Sequence, residues 1–171
     1  MAASYSPTRD RPEGSLPGVS NKTETGDDGA TDVIVIFGIT GDLARKMTFR
    51  ALYRLEMRGK LNSPIIGVGR RTDWHHETMK ECAHESIKHT VGEVDEIVFG
   101  RLANRMRFVA GNFDDPTLYR KLGKEIEAYK RPLYYLEIPP PLFSPEIPQI
   151  AEAGLSENAR FMIEKPFGHD L

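Results

Sequence analysis

The stretch from Asp32 to Met47, Asp-Val-Ile-Val-Ile-Phe-Gly-Ile-Thr-Gly-Asp-Leu-Ala-Arg-Lys-Met, constrains the fold more than any other. Val33 to Phe37 is apolar and mostly β-branched, the pattern of a strand buried on both faces. Two glycines break it, and a helical pattern starts at once. A buried parallel strand that turns sharply into a helix is the first half of a dinucleotide-binding unit. The unpaired N–H groups at a helix start, with the positive end of the helix dipole, suit a pyrophosphate. Gly38 and Gly41 keep a Cβ out of the way where phosphate oxygens approach the backbone, and Ala44 lets the helix lie close on the strand. The spacing is G-x-x-G-x-x-A rather than G-x-G-x-x-G, so the flanking strand and helix carry the reading. A plain βα turn that needs glycine is the competing one.

Residues 1–31 are rich in Ser, Pro, Gly, Thr and charge, with scattered apolar positions. Such a segment buries too little apolar surface to offset its ordering entropy, which predicts a disordered tail. The remaining 32–171 suits one globular domain. The net charge of −2 gives no broad electrostatic case for nucleic acid. No apolar run approaches the roughly 18 residues of a membrane span. The start of the chain lacks an apolar signal segment, and the single cysteine, Cys82, has no internal disulfide partner. A reducing, cytoplasmic setting is therefore expected.

Apolar positions Leu43, Met47, Ala51 and Leu55, with Leu52 and Tyr53, recur at helical spacing, and Gly59 predicts the helix end. Residues 64–69 read as the second strand. Arg70 and Arg71 stand directly at its end. In a dinucleotide domain that end faces the adenosine ribose, where a carboxylate selects NAD and an arginine pairs with the 2′-phosphate of NADP. The planar guanidinium donates parallel, charge-assisted bonds to a phosphate, so the expected coenzyme is NADP. A solvated arginine pair in a loop is the bland alternative. Asp73 is placed to cap the next helix, which runs over 75–89.

The histidines at 75, 76, 84 and 89 lack the spacing of a metal site and read as a solvated helix face. Cys82 reads as a small buried hydrophobe. Residues 107–111 suggest a third strand. Asp114-Asp115-Pro116 opens a helix reaching about Lys130, with an acidic cap and proline in the first turn. Residues 133–138 form a fourth strand, stopped by three prolines. Glu137 interrupts its apolar run, so it needs a partner or a place at the ligand edge. A helix over 143–153 and a fifth strand over 159–163 follow. The latter delivers Glu164-Lys165-Pro166-Phe167-Gly168 to the same edge, where Lys165 could hold a phosphate or a reacting hydroxyl. The alternation calls for an α/β fold, a doubly wound parallel sheet of the Rossmann dinucleotide-binding type.

Four stretches, Gly38-Ile39-Thr40-Gly41-Asp42-Leu43-Ala44, Gly67-Val68-Gly69-Arg70, Tyr135-Leu136-Glu137-Ile138-Pro139-Pro140 and Glu164-Lys165-Pro166-Phe167-Gly168, occur in order. Together they make the chain resemble the N-terminal coenzyme domain of the glucose-6-phosphate 1-dehydrogenase family over residues 32–171. The resemblance implies oxidation of D-glucose 6-phosphate at C1 to the 6-phospho-lactone with NADP as hydride acceptor, the entry step of the pentose phosphate pathway. It implies that Gly38, Ile39, Thr40, Gly41, Asp42, Leu43, Ala44 and Arg45 hold the pyrophosphate and Arg70 the 2′-phosphate. Tyr135 and the prolines after it would lie at the nicotinamide. Lys165 would touch both substrate and nicotinamide as the catalytic residue, with Pro166 in a cis bond.

The family also implies a homo-oligomer at full length and a later substrate domain carrying the general base. On this reading the chain ends before that domain and is inactive alone. Two positions depart from the family pattern. Met47 stands where a lysine often contacts the sugar phosphate, and Glu137 stands where alanine is common. Lys46, at a neighbouring helix position, could replace the missing lysine. A non-catalytic NADP-binding module shares the glycine spacing but gives no purpose to Lys165. A short-chain-type reductase would need a Tyr-x-x-x-Lys pair, and none occurs.

Overall fold

The computed structural model describes residues 30–139 and 143–163, the side chains of 143–145 excepted. In chain order the elements are β1 (Val33–Phe37), a π-helical turn (Ala44–Thr48), α1 (Phe49–Met57), β2 (Ile65–Gly69), α2 (His76–Val91) and α3 (Glu96–Arg105). Then come β3 (Met106–Ala110), α4 (Pro116–Ile126), β4 (Pro132–Leu136), α5 (Phe143–Glu152) and β5 (Arg160–Ile163). The five strands form one sheet in the order β3-β2-β1-β4-β5. Every pairing is parallel, with Ile36 opposite Gly67 on one side and Tyr135 on the other. This is the doubly wound fold expected from the alternation of strand and helix patterns.

Helices pack on both faces of the sheet around its central strands, as parallel strands require. One core joins Ile36, Ile65 and Phe108 of the sheet to Phe49, Leu52, Met79, Ile87 and Leu102 of α1, α2 and α3. The other joins Val33, Val35, Phe37, Tyr134 and Leu136 to Leu118, Leu122 and Ile150 of α4 and α5. β1 contributes to both, so its unbroken apolar run is explained. The chain leaves β3 at one side of the sheet and returns beside β1 as β4. The strand order therefore reverses between β1 and β4, which is where open α/β sheets bind ligands.

Three local expectations are corrected. First, α3 stands between the helix expected over 75–89 and the strand expected over 107–111, where the sequence predicts no element. Asp95 starts it by accepting from the N–H groups of Ile97 and Val98, and Tyr53 donates no bond there but accepts from Asp95 N at 2.9 Å.

Second, the stripe Leu43-Met47-Ala51-Leu55 does not face the core. Met47 is 55% exposed and Leu55 40%, whereas Ala44, Phe49, Leu52 and Tyr53 are buried. The π-helical turn at Ala44–Thr48 is wider than an α-turn and rotates the helix face relative to a uniform 3.6-residue period. The buried face then includes Glu56, 4% exposed, which accepts from Arg101 Nε at 2.9 Å and Arg105 Nε at 2.8 Å of α3.

Third, α2 is capped by His75, whose Nδ1 accepts from Thr78 N, while Asp73 pairs with Arg71. At the start of the fold Asp32 accepts from Lys130 N and Arg131 N, both at 2.8 Å, tying the entrance of β1 to that of β4. Thr31 is also held, its carbonyl accepting from Ser63 Oγ at 2.8 Å. The rest of the expected tail, up to residue 29, lies outside the described residues.

Candidate functional site

Because all strands are parallel, their C-terminal ends share one edge, and the segments after β1, β2, β3 and β4 meet there. Gly38 N donates to Val68 O and Glu137 N to Phe37 O, both at 2.9 Å, so the segments after β1 and β4 are stitched across the switch point.

The glycines of the turn have separate duties. Gly38 has a φ of +86°, and a Cβ on it would stand 2.2 Å from the carbonyl oxygen of Glu137. It is therefore glycine for the fold of the turn against the β4 segment, a different reason from the phosphate clearance expected on sequence grounds. Gly41 is exposed and has no positive φ. Its N–H donates to Gly38 O at 2.8 Å and closes the turn. Two further glycines, unremarked in the sequence as space-makers, support the turn from below. A Cβ on Gly67 would meet Ile39 Cγ2 at 2.8 Å, and one on Gly69 would meet Thr40 Cγ2 at 2.7 Å. Bare β2 backbone is what lets Ile39 and Thr40 lie directly on the sheet. Asp42 and Arg45 are exposed, Leu43 half-buried and Ala44 buried, so the helix start sits on its apolar side with its polar side outward.

Arg70 follows β2 at the same edge and is exposed. Its guanidinium lies over the Phe113 ring, 5.7 Å from the centroid, a ring that is itself buried after β3. Tyr119 of α4 fixes this segment by donating to Phe113 O at 2.8 Å. The neighbouring Arg71 is committed elsewhere. It makes a two-point bond with Asp73, at 2.9 and 2.6 Å, beside the ring of Trp74. The Arg71 guanidinium holds the Asp73 carboxyl below its ordinary range. Of the two arginines, Arg70 is thus the one presented to the edge without an ion pair among the described residues.

Glu137 finds the partner its position demanded. Thr48, buried within the π-helical turn, donates through Oγ1 to Glu137 Oε1. The π-turn and Glu137 are therefore joined by one contact. π-turns inside helices often mark functional sites, and this one joins the glycine-turn helix to the segment after β4. Beside it opens a groove of about 550 Å³ lined by Ile36, Met47, Thr48, Leu55, Tyr135 and Met162 among others. Tyr135 is half-buried there. Lys46 does not share this groove: it lines a crevice with Arg45, Ser86 and His89. Met47 and Lys46 thus line different spaces.

Lys165 and the expected cis bond at Pro166 lie outside the described residues, as do Pro140 and Pro141. The histidines have local structural work rather than a purely solvated face. His75 caps α2, His76 Nδ1 accepts from Phe108 N at 2.9 Å on the edge strand, and His84 pairs with Glu96 at 2.9 Å. Among the described residues no three His, Cys, Asp or Glu side chains are gathered as a metal would need. Cys82 is half-buried against the first core. No helix among the described residues is long and apolar enough to cross a membrane.

Could a dinucleotide be held here? The donor set fits one: a tight glycine turn into a helix start, clear of side chains at Gly41, with a cation at the end of β2 on the same edge.

Comparison with known proteins agrees with this geometry. Residues 35–171 match the family described as glucose-6-phosphate dehydrogenase, NAD binding domain. Glucose-6-phosphate 1-dehydrogenase 1 of Mycobacterium tuberculosis is 51% identical over 146 residues, which is 85% of this chain and 31% of the relative. Glucose-6-phosphate 1-dehydrogenase 2 of the same species is 34% identical over 186 residues, 99% of this chain and 34% of the relative. Among solved structures, a glucose-6-phosphate 1-dehydrogenase from Mycobacterium avium superposes with a TM-score of 0.77 at 52% identity, covering 82% of this chain and 31% of that one. A glucose-6-phosphate dehydrogenase in complex with its substrate glucose 6-phosphate gives a TM-score of 0.71 at 32% identity, again over 82% and 31%. The chain spans about a third of the length of the relatives it matches.

Proposed function

Because the chain belongs to the glucose-6-phosphate dehydrogenase family, as its N-terminal coenzyme-binding part, we propose that it holds NADP along the C-terminal edge of the sheet for the oxidation of D-glucose 6-phosphate. The product is 6-phospho-D-glucono-1,5-lactone. Residues 32–171 are the coenzyme domain in this reading, and a following substrate domain completes the enzyme.

One observation carries the choice of coenzyme. Arg70 is exposed at the end of β2, seated on Phe113, while Arg71 is bound to Asp73. A 2′-phosphate at that strand end meets an available guanidinium. The turn from Gly38 to Arg45 receives the pyrophosphate through backbone N–H groups at the helix start. The nicotinamide lies toward Tyr135, beside the groove that contains Thr48 and Met162. Bound NADP supplies the hydride acceptor. Lys165 orients the sugar hydroxyl and the nicotinamide face. The proton of that hydroxyl needs a general base, which in this reading comes from the remaining two-thirds of the relatives' length, so the chain alone binds coenzyme without turnover. The whole protein is cytoplasmic and homo-oligomeric in the same reading.

Calorimetric titration of the purified chain with NADP, and with NAD for comparison, tests the proposal. NADP binds and NAD is much weaker. Arg70→Ala lowers NADP affinity by about tenfold or more, the worth of a charge-assisted bond, and leaves NAD unchanged. Equal binding of the two coenzymes by the native chain overturns the choice of NADP.

A further inference from the structure

The strand order β2-β1-β4 lays out the coenzyme edge from one end of a dinucleotide to the other. Arg70 stands at the end of β2, the glycine turn at the end of β1, and the segment after β4 closes the row. A ligand held by its 2′-phosphate at the first and its pyrophosphate at the second turns its nicotinamide toward the third. Glu137 is the residue that directly follows β4. Its backbone is pinned at the switch point. Its N–H donates to Phe37 O at 2.9 Å, and its carbonyl leaves no room for a Cβ on Gly38. Its side chain is held as well. Oε1 accepts from Thr48 Oγ1, on the π-helical turn that follows the glycine turn, and Oε2 is shut off from solvent. Burying a carboxylate is costly, so its place at the nicotinamide end of the edge calls for a use.

We propose that Glu137 is a specificity-determining residue that biases the coenzyme site toward the oxidised form. This rests on the coenzyme reading given above. The oxidised nicotinamide ring carries a positive charge and the reduced ring carries none. The two forms share the adenosine, the 2′-phosphate and the pyrophosphate, so Arg70 and the glycine turn treat them alike. A carboxylate at the nicotinamide end attracts only the cationic ring, and shielding from water sustains that attraction. The bond from Thr48 fixes the carboxylate before any ligand arrives, so the bias costs no rearrangement on binding. A dehydrogenase takes up the oxidised coenzyme and must let go of the reduced one, and both steps gain from such a difference in affinity.

The test is calorimetric titration of the full chain with NADP, NADPH and adenosine 2′,5′-bisphosphate, which carries the adenosine half and no nicotinamide. Glu137→Gln keeps an oxygen for Thr48 to donate to and removes only the charge. Glu137→Ala removes charge and contact together, and its ratio decides if the glutamine variant fails to fold. The readout is the ratio of NADP to NADPH affinity, from which a general loss of folded protein cancels. In both variants that ratio falls about threefold to tenfold, the effect of one partly screened charge pair. In Glu137→Gln the fall comes from NADP, while the bisphosphate binds as it does to the native chain. An unchanged ratio, or equal weakening of all three ligands, overturns the role of Glu137. If the native chain binds both coenzymes and the ratio is flat in the variants, only that role fails. If the native chain binds neither coenzyme, the coenzyme reading fails and the role of Glu137 with it.

Discussion

Gly38 and Gly41 show how similar residues in one motif can answer to different masters. At Gly38 the positive φ and the carbonyl of Glu137 exclude any side chain. Gly38→Ala must push the ends of β1 and β4 apart, and it costs about 2 kcal/mol or more of stability in urea denaturation. At Gly41 a Cβ would meet only Gly38 O, at 3.1 Å, and otherwise project outward. Gly41→Ala should therefore leave the unfolding free energy from urea denaturation within about 1 kcal/mol of native while weakening NADP several-fold in calorimetry. If the two substitutions lose stability and affinity in the same proportion, the division of labour is wrong.

At the scale of elements, α1 and α3 are joined by a buried carboxylate rather than by apolar contact alone. Glu56 is nearly inaccessible, yet its two arginine partners are 49% and 30% exposed in their side chains. Removing the carboxylate frees two cations that water can reach, so Glu56→Met should change stability by no more than about 1 kcal/mol. Removing both arginines leaves a charge in the core with no partner of comparable quality. Arg101→Ala combined with Arg105→Ala is expected to cost about 3 kcal/mol in the same urea experiment. Equal losses for the two variants would mean that the ion pairs hold the helices symmetrically.

At the scale of the whole molecule, the two cores cover most of the sheet but leave one quarter open. Over β4 and β5, on the α1 side, the groove beside Tyr135 is walled by Met47, Leu55, Leu133 and Met162. β5 is exposed throughout, with Phe161, Met162 and Ile163 between 36% and 49% exposed. An exposed apolar groove with Met162 on its wall favours association. Sedimentation velocity should show the chain self-associating as concentration rises, and Met162→Glu should shift it toward monomer. A monodisperse monomer across the range would remove this expectation.

The linear sequence determined the strands, their order along the chain, the glycine turn and the family. Each of these rests on local spacing: a β-branched run, a pair of glycines, an acidic cap before proline. The sequence also placed Arg70 at a strand end, because the end of an apolar run is visible in one dimension. It could not say which of Arg70 and Arg71 is available, since that depends on Asp73 pairing with Arg71 while Arg70 rests on the Phe113 ring. Nor could it find α3, whose Ile97-Val98-Phe99 run followed by Gly100 shows no clear helical period, or the true inward face of α1. A wider π-turn rotates that face, and a buried glutamate on it breaks the pattern that periodicity relies on. The Thr48–Glu137 contact spans 89 positions. Only the closing of the sheet brings such groups together, because the energy of a buried polar atom depends on neighbours that chain order does not record.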